Sequence, residues 1–83
     1  EKLSCLNEKK PAVMEKIVER VSGGEITTVD GVRVDFENGW ILIRPSGTEP
    51  YIRATVEAED KKTAEALMQK AVGLIRESLR EVG

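Results

Sequence analysis

Apolar and polar residues alternate along two stretches of this chain and recur at helical spacing along two others. Val32, Val34 and Phe36 alternate with Arg33, Asp35 and Glu37, and Ile52, Ala54, Val56 and Ala58 alternate with Tyr51, Arg53, Thr55 and Glu57. A period of two places one face of each strand in a core and the other in water. Trp40–Ile43 reads as a nearly continuous apolar strand between them. Leu3–Leu6 reads as a short edge strand, and Glu25–Val29 as a further strand. Asp30-Gly31 and Asn38-Gly39 are tight hairpin-turn sequences.

Met14, Ile17, Val18 and Val21 recur at helical spacing and predict a first helix. Pro11 belongs in its first turn, where a missing N–H does least harm. Asn7 is a second candidate for the start, as a cap. Gly23-Gly24 predicts the end, since glycine accepts a left-handed exit. Asp60 caps a second helix, whose apolar stripe is Ala64, Leu67, Met68, Ala71, Val72, Ile75, Leu79 and Val82. The expected order is β-α-β-β-β-β-α. This is an α+β fold, an antiparallel sheet with both helices packed on one face. The other face is left to solvent or to a neighbouring domain.

The 83 residues support one domain, 1–83, with a modest core. With 40% hydrophobic and 34% charged residues, the composition is that of a globular domain rather than a disordered tail. A net charge of -2 lacks the broad basic field of a nucleic-acid binder, and one Trp, one Tyr and one Phe make a poor base-stacking platform. No apolar run approaches membrane-spanning length, so no membrane partner is expected. Cys5 is the single cysteine and has no internal partner, which favours a cytoplasmic setting and a buried, inert thiol. The chain begins at Glu1 rather than Met, and the expectation is a piece of a longer protein.

One segment stands apart. Arg44-Pro45-Ser46-Gly47-Thr48-Glu49-Pro50, followed by Arg53, interrupts two strands with no apolar side chain but its prolines. These are the parts of an anion cradle. Gly47 permits close backbone approach and a positive φ. Successive N–H groups in such a turn converge on one anion. The Ser46 and Thr48 hydroxyls donate to phosphate oxygens, and Arg44 and Arg53 offer planar forks for bidentate contact. The prolines restrict the loop and lower the entropy lost on binding. Arg53, between Ile52 and Ala54, belongs on the polar face of its strand.

The heptapeptide resembles the phosphate-binding loop of the α-D-phosphohexomutase family, which includes phosphoglucomutase, phosphomannomutase and phosphoglucosamine mutase. The likeness extends to Asp30-Gly31-Val32-Arg33-Val34, to Trp40-Ile41-Leu42-Ile43 and to Tyr51-Ile52-Arg53. It implies the family's fourth, C-terminal domain, similar in fold to the TATA-binding-protein class without any implied DNA binding. The family interconverts hexose 1-phosphates and 6-phosphates through a bisphosphorylated intermediate. By this resemblance a phosphoserine in the first domain transfers phosphate, Mg2+ sits in the second, and the last holds the phosphate that is not reacting. Arg44, Ser46, Gly47, Thr48 and Arg53 would then bind phosphate, with a phosphorylated hexose and the other domains as partners. No catalytic residue, metal ligand or cofactor site is assigned to these 83 residues, so the segment alone is not expected to be active.

Other residues have plainer readings. Arg20, Arg33, Arg76 and Arg80 read as solvated surface charges. Trp40 reads as packing, and Asp35 and Glu37 as surface carboxylates without a partner base. Glu49 sits awkwardly beside an anion site and is expected to turn away. The alternative function is a non-catalytic protein-interaction module that docks through its open sheet face.

Overall fold

The computed structural model describes residues 1–21, 23–28 and 31–83. Its strands are β1 (Lys2–Ser4), β2 (Glu25–Thr27), β3 (Val32–Phe36), β4 (Gly39–Pro45) and β5 (Tyr51–Ala58). Helix α1 (Lys10–Arg20) lies between β1 and β2, after a 3-10 turn at Asn7–Lys9, and α2 (Lys61–Val82) ends the chain. The strands form one antiparallel sheet in the order β1-β5-β4-β3-β2. The expected order and α+β class are those observed.

Alternation decides which sheet face is covered. Val32, Val34, Ile41, Ile43, Ile52 and Ala54 are buried against Val13 and Ile17 of α1 and Leu67, Ala71 and Ile75 of α2. Their neighbours along each strand, among them Arg44, Arg53, Thr55 and Glu57, lie exposed on the other face. Asp60 caps α2, its carboxylate accepting the Thr63 N–H at 2.7 Å. Arg20 ties α1 to α2 through Glu81.

Several local expectations differ from the structure. The inward face of α1 is Lys10, Val13 and Ile17, while Val18 is 37% exposed. Of the expected stripe, Ile17 is buried and Met14 and Val21 pack against the core, so Val18 alone departs from it. The helix stops at Arg20, with Val21 already extended, so Gly23 (φ 81°) follows its end without forming it. Asn7 caps nothing; its side chain is used elsewhere, as described below. The end of the second expected strand, Val29, and the turn residue Asp30 lie outside the described residues. Gly31 has φ 139°, and a Cβ there would lie 2.6 Å from the Ile43 carbonyl oxygen.

The second hairpin turns at Glu37 and Asn38, because Phe36 pairs with Gly39 and Asp35 with Trp40. Gly39 is thus a strand residue without a positive φ. Its value is space: a Cβ would sit 2.4 Å from the Glu57 carbonyl oxygen and 2.8 Å from Leu67 Cδ1. Cys5 is buried just beyond β1, and burial pushes its thiol pKa up, partly offset by Lys10 and Lys9. That is an inert thiol. Trp40 is half-buried on the open face, where Arg33 stacks over it at 4.6 Å and forks to Asp35 at 3.0–3.2 Å. Arg33 is thereby held in a cluster rather than freely solvated.

Candidate functional site

The site is built where β4 hands over to β5. Arg44 and Arg53 are direct cross-strand partners, and Lys2 of β1 is the partner of Arg53 on its other side. Alternation places all three on the uncovered face, so one row across three adjacent strands carries three cations. Like charges directly opposite each other weaken a sheet. Among the described residues, none of the three forms an ion pair with a carboxylate. Tyr51 shares the row's end: Lys2 Nζ lies 4.9 Å and Arg53 Cζ 6.0 Å from its ring centroid. Aromatic contact holds these cations without neutralising them.

The connecting loop is tied on its inner side. The Ser46 N–H donates to the Tyr51 carbonyl at 3.0 Å, the Tyr51 N–H to the Glu49 carbonyl at 2.8 Å, and the Cys5 N–H to the Pro50 carbonyl at 2.9 Å. The Glu49 N–H donates to Ser46 Oγ at 3.1 Å, so that hydroxyl accepts within the loop and keeps its own proton to donate outward. Lys10 Nζ donates to the Ser46 and Glu49 carbonyls at 2.7 and 2.5 Å, and Asn7 Nδ2 to the Thr48 carbonyl at 3.4 Å. Among the described residues, the N–H groups of Gly47 and Thr48 donate to nothing in the protein.

A shallow depression of about 210 Å³ results, lined by Arg44, Pro45, Ser46, Gly47, Tyr51 and Arg53. Four of the five residues expected from sequence therefore meet around it. Thr48 is exposed and does not line it. Gly47 does not use the positive φ open to it, and a Cβ on it would meet nothing within 4 Å. Neither the backbone nor the packing requires glycine there. The lack of a side chain matters only to something occupying the space above it. Glu49 makes no ion pair among the described residues and contributes its backbone.

Sequence reasoning missed Lys2, Tyr51, Lys10 and Asn7. The first two join the site through strand register and the last two through packing of the 3-10 turn and the start of α1 under the loop, and neither is written in local spacing. The donor set suits an anion. Two guanidinium groups and no carboxylate line the depression. Among the described residues no group of three or more His, Cys, Asp or Glu gathers to hold a metal ion. Among them, too, no helix is long and apolar enough to cross a membrane.

Comparison with known proteins places this chain in a family. Residues 2–74 match the family described as phosphoglucomutase/phosphomannomutase, C-terminal domain. The chain belongs to that family. It is 49% identical over 82 residues to the phosphoglucosamine mutase of Methanocaldococcus jannaschii, covering 95% of this chain and 18% of the relative. The probable phosphoglucosamine mutase of Methanopyrus kandleri is 46% identical, covering 99% of this chain and 19% of the relative. The chain thus spans under a fifth of the length of these curated relatives. A crystal structure of a phosphoglucomutase/phosphomannomutase family protein from Burkholderia thailandensis superposes with a TM-score of 0.72 at 25% identity, over 94% of this chain and 17% of that one. As a C-terminal mutase domain, the chain has its cation row and strapped loop at one end of an otherwise ordinary sheet.

Proposed function

We propose that this domain holds the non-reacting phosphate of a phosphorylated hexose while phosphate is transferred elsewhere in a full-length mutase. The observation that carries this reading is the cross-strand pairing of Arg44 with Arg53, with Lys2 beside them. The fold gains nothing from setting like charges opposite each other. A phosphate dianion between the two forks turns a repulsive pair into two charge-assisted contacts, each contributing about 1.5–3 kcal/mol. The Ser46 hydroxyl and the Gly47 N–H complete the contacts.

The size of the depression bears on mechanism. About 210 Å³ is below the range of roughly 300–1,000 Å³ typical of sites that enclose a whole small molecule. It suits a phosphate group, with the sugar left outside. A clamp that reads only phosphate accepts a hexose by its 1-phosphate or its 6-phosphate end. Interconverting the two through a bisphosphate requires that indifference. In this reading the chain's residues bind and orient, while the nucleophile and any Mg2+ belong to other domains. The named relatives make an amino-sugar phosphate the first substrate to try.

The test is a titration of the 83-residue chain with inorganic phosphate, followed by amide and arginine Nε NMR shifts. Shifts centred on residues 44–53, saturating in the millimolar range or weaker, are expected, since most contacts to a full substrate lie outside this domain. Silence of these signals at high phosphate sinks the clamp and favours an interaction module docking through the open sheet face.

A further inference from the structure

Lys10 is the most deeply buried charged residue of the described chain, with 7% of its surface exposed. It has no carboxylate partner among the described residues. Its ammonium instead donates to two carbonyl oxygens, those of Ser46 and Glu49, 36 and 39 residues away in sequence. A buried charge is costly unless it is paired. Two carbonyl dipoles compensate it only in part, and an anion above the loop would complete the balance.

The geometry has a second consequence. In a trans peptide unit the C=O of one residue and the N–H of the next point in opposite directions. The described chain has no cis peptide bond, so fixing the Ser46 carbonyl on Lys10 aims the Gly47 N–H away from Lys10. Gly47 lines the phosphate depression, and its N–H has no acceptor among the described residues. Released from Lys10, the Ser46 carbonyl has no other partner among the described residues, and glycine's wide φ range lets that peptide plane turn.

Resting on the clamp reading above, we propose that Lys10 is a positioning residue of the phosphate site: from beneath the loop it sets the Ser46–Gly47 peptide plane so that the Gly47 N–H faces the anion. It touches no ligand itself. Its influence passes through the Ser46 carbonyl, while its second contact anchors the loop at Glu49, whose carbonyl precedes Pro50 and so aims no N–H.

The test compares phosphate titrations of the native chain, Lys10→Met, and Val13→Ala as a control. Val13 is fully buried on the same helix face but touches no part of the loop's hydrogen bonding, so its truncation lowers Tm without altering the site. Lys10→Met is expected to raise the phosphate Kd at least tenfold and to abolish the shift of the Gly47 amide. The Arg44 Nε signal should still respond. Val13→Ala should bind as the native chain does. If the native chain binds phosphate and Lys10→Met binds it equally well with the same Gly47 shift, the positioning role is overturned while the clamp stands. If the native chain itself fails to bind, the clamp reading is what fails. Should Lys10→Met not fold, Lys10→Gln decides: an amide reaching one carbonyl should bind at least threefold more weakly, and native affinity overturns the role.

Discussion

Two antiparallel connections leave opposite ends of β4 in this sheet. β3 passes to β4 through Glu37 and Asn38 alone, with pairing resumed at once between Phe36 and Gly39. β4 passes to β5 through residues 46–50, and the carbonyls of Ser46, Thr48, Glu49 and Pro50 are held by Lys10, Asn7, Cys5 and Tyr51. Chain reversal needs no more than the first. The second binds a loop to a buried cation and flanks it with two arginines in direct register. These features cost stability and do nothing for the turn. The first hairpin is shaped by the core beneath it; in the proposed clamp, the second is shaped by the anion above it. Their glycines divide the same way. Gly39 is required because strand and helix leave no room for a Cβ, whereas Gly47 has room to spare.

The sharpest break of this comparison is expected at Arg44. In a full-length enzyme containing this domain, Arg44→Ala should lower kcat/KM roughly ten- to hundred-fold, in proportion to one lost charge-assisted contact. Steady-state kinetics that match the native enzyme would leave the second hairpin without a purpose. Next in size is Gly39→Ala, which forces a Cβ against the Glu57 carbonyl oxygen. It should destabilise the domain by about 1–3 kcal/mol in urea unfolding, with phosphate affinity retained. Gly47→Ala is its mirror. Its unfolding midpoint should stay within about 0.5 kcal/mol of native while phosphate binding weakens several-fold, because the new methyl enters the ligand's space. An equal loss of stability in both glycine variants would erase the distinction drawn here.

Two smaller effects lie outside both hairpins and calibrate them. Ser78 is fully buried on α2, and its Oγ has no hydrogen-bond partner among the described residues. Ser78→Ala removes an unsatisfied polar atom and should raise stability by about 1 kcal/mol or slightly less, seen as a higher Tm with unchanged phosphate binding. Asp60, whose hydrogen bonds from the Thr63 backbone N–H and side chain lower its pKa, should give the smallest signal. A carboxyl whose pKa is depressed by folding stabilises above its unfolded pKa and loses that contribution as pH falls through its folded one. Asp60→Ala should therefore lower Tm at neutral pH, and the difference should fade below the ordinary carboxylate range. A constant gap across acid pH would assign the cap's effect to something other than the charge.

Much of the fold was legible because strands with one wet face announce themselves by alternation, and β3 and β5 do so without ambiguity. α1 was read less well. Its inward face includes Lys10, a residue that no hydrophobic pattern would select, and leaves Val18 exposed. The Asn38-Gly39 pair suggested a turn one residue too late, because Gly39 answers to crowding by Glu57 and Leu67 rather than to backbone handedness. Of the candidate site, Arg44, Ser46, Gly47 and Arg53 were legible as a polar interruption between apolar strands, and they do surround one depression. Thr48 shared the interruption but faces elsewhere.

Residue order alone determined the α+β arrangement, the two sheet faces and the seven-residue segment in which cations and hydroxyls gather. Those properties follow from periodicity and from local chemistry, which act over a few positions. Only the tertiary structure decided that Arg44 meets Arg53 and Lys2 in one row, and that Lys10 reaches under the loop from another element. Register and helix packing join residues tens of positions apart. They are fixed by how the whole core closes, and no local pattern records that.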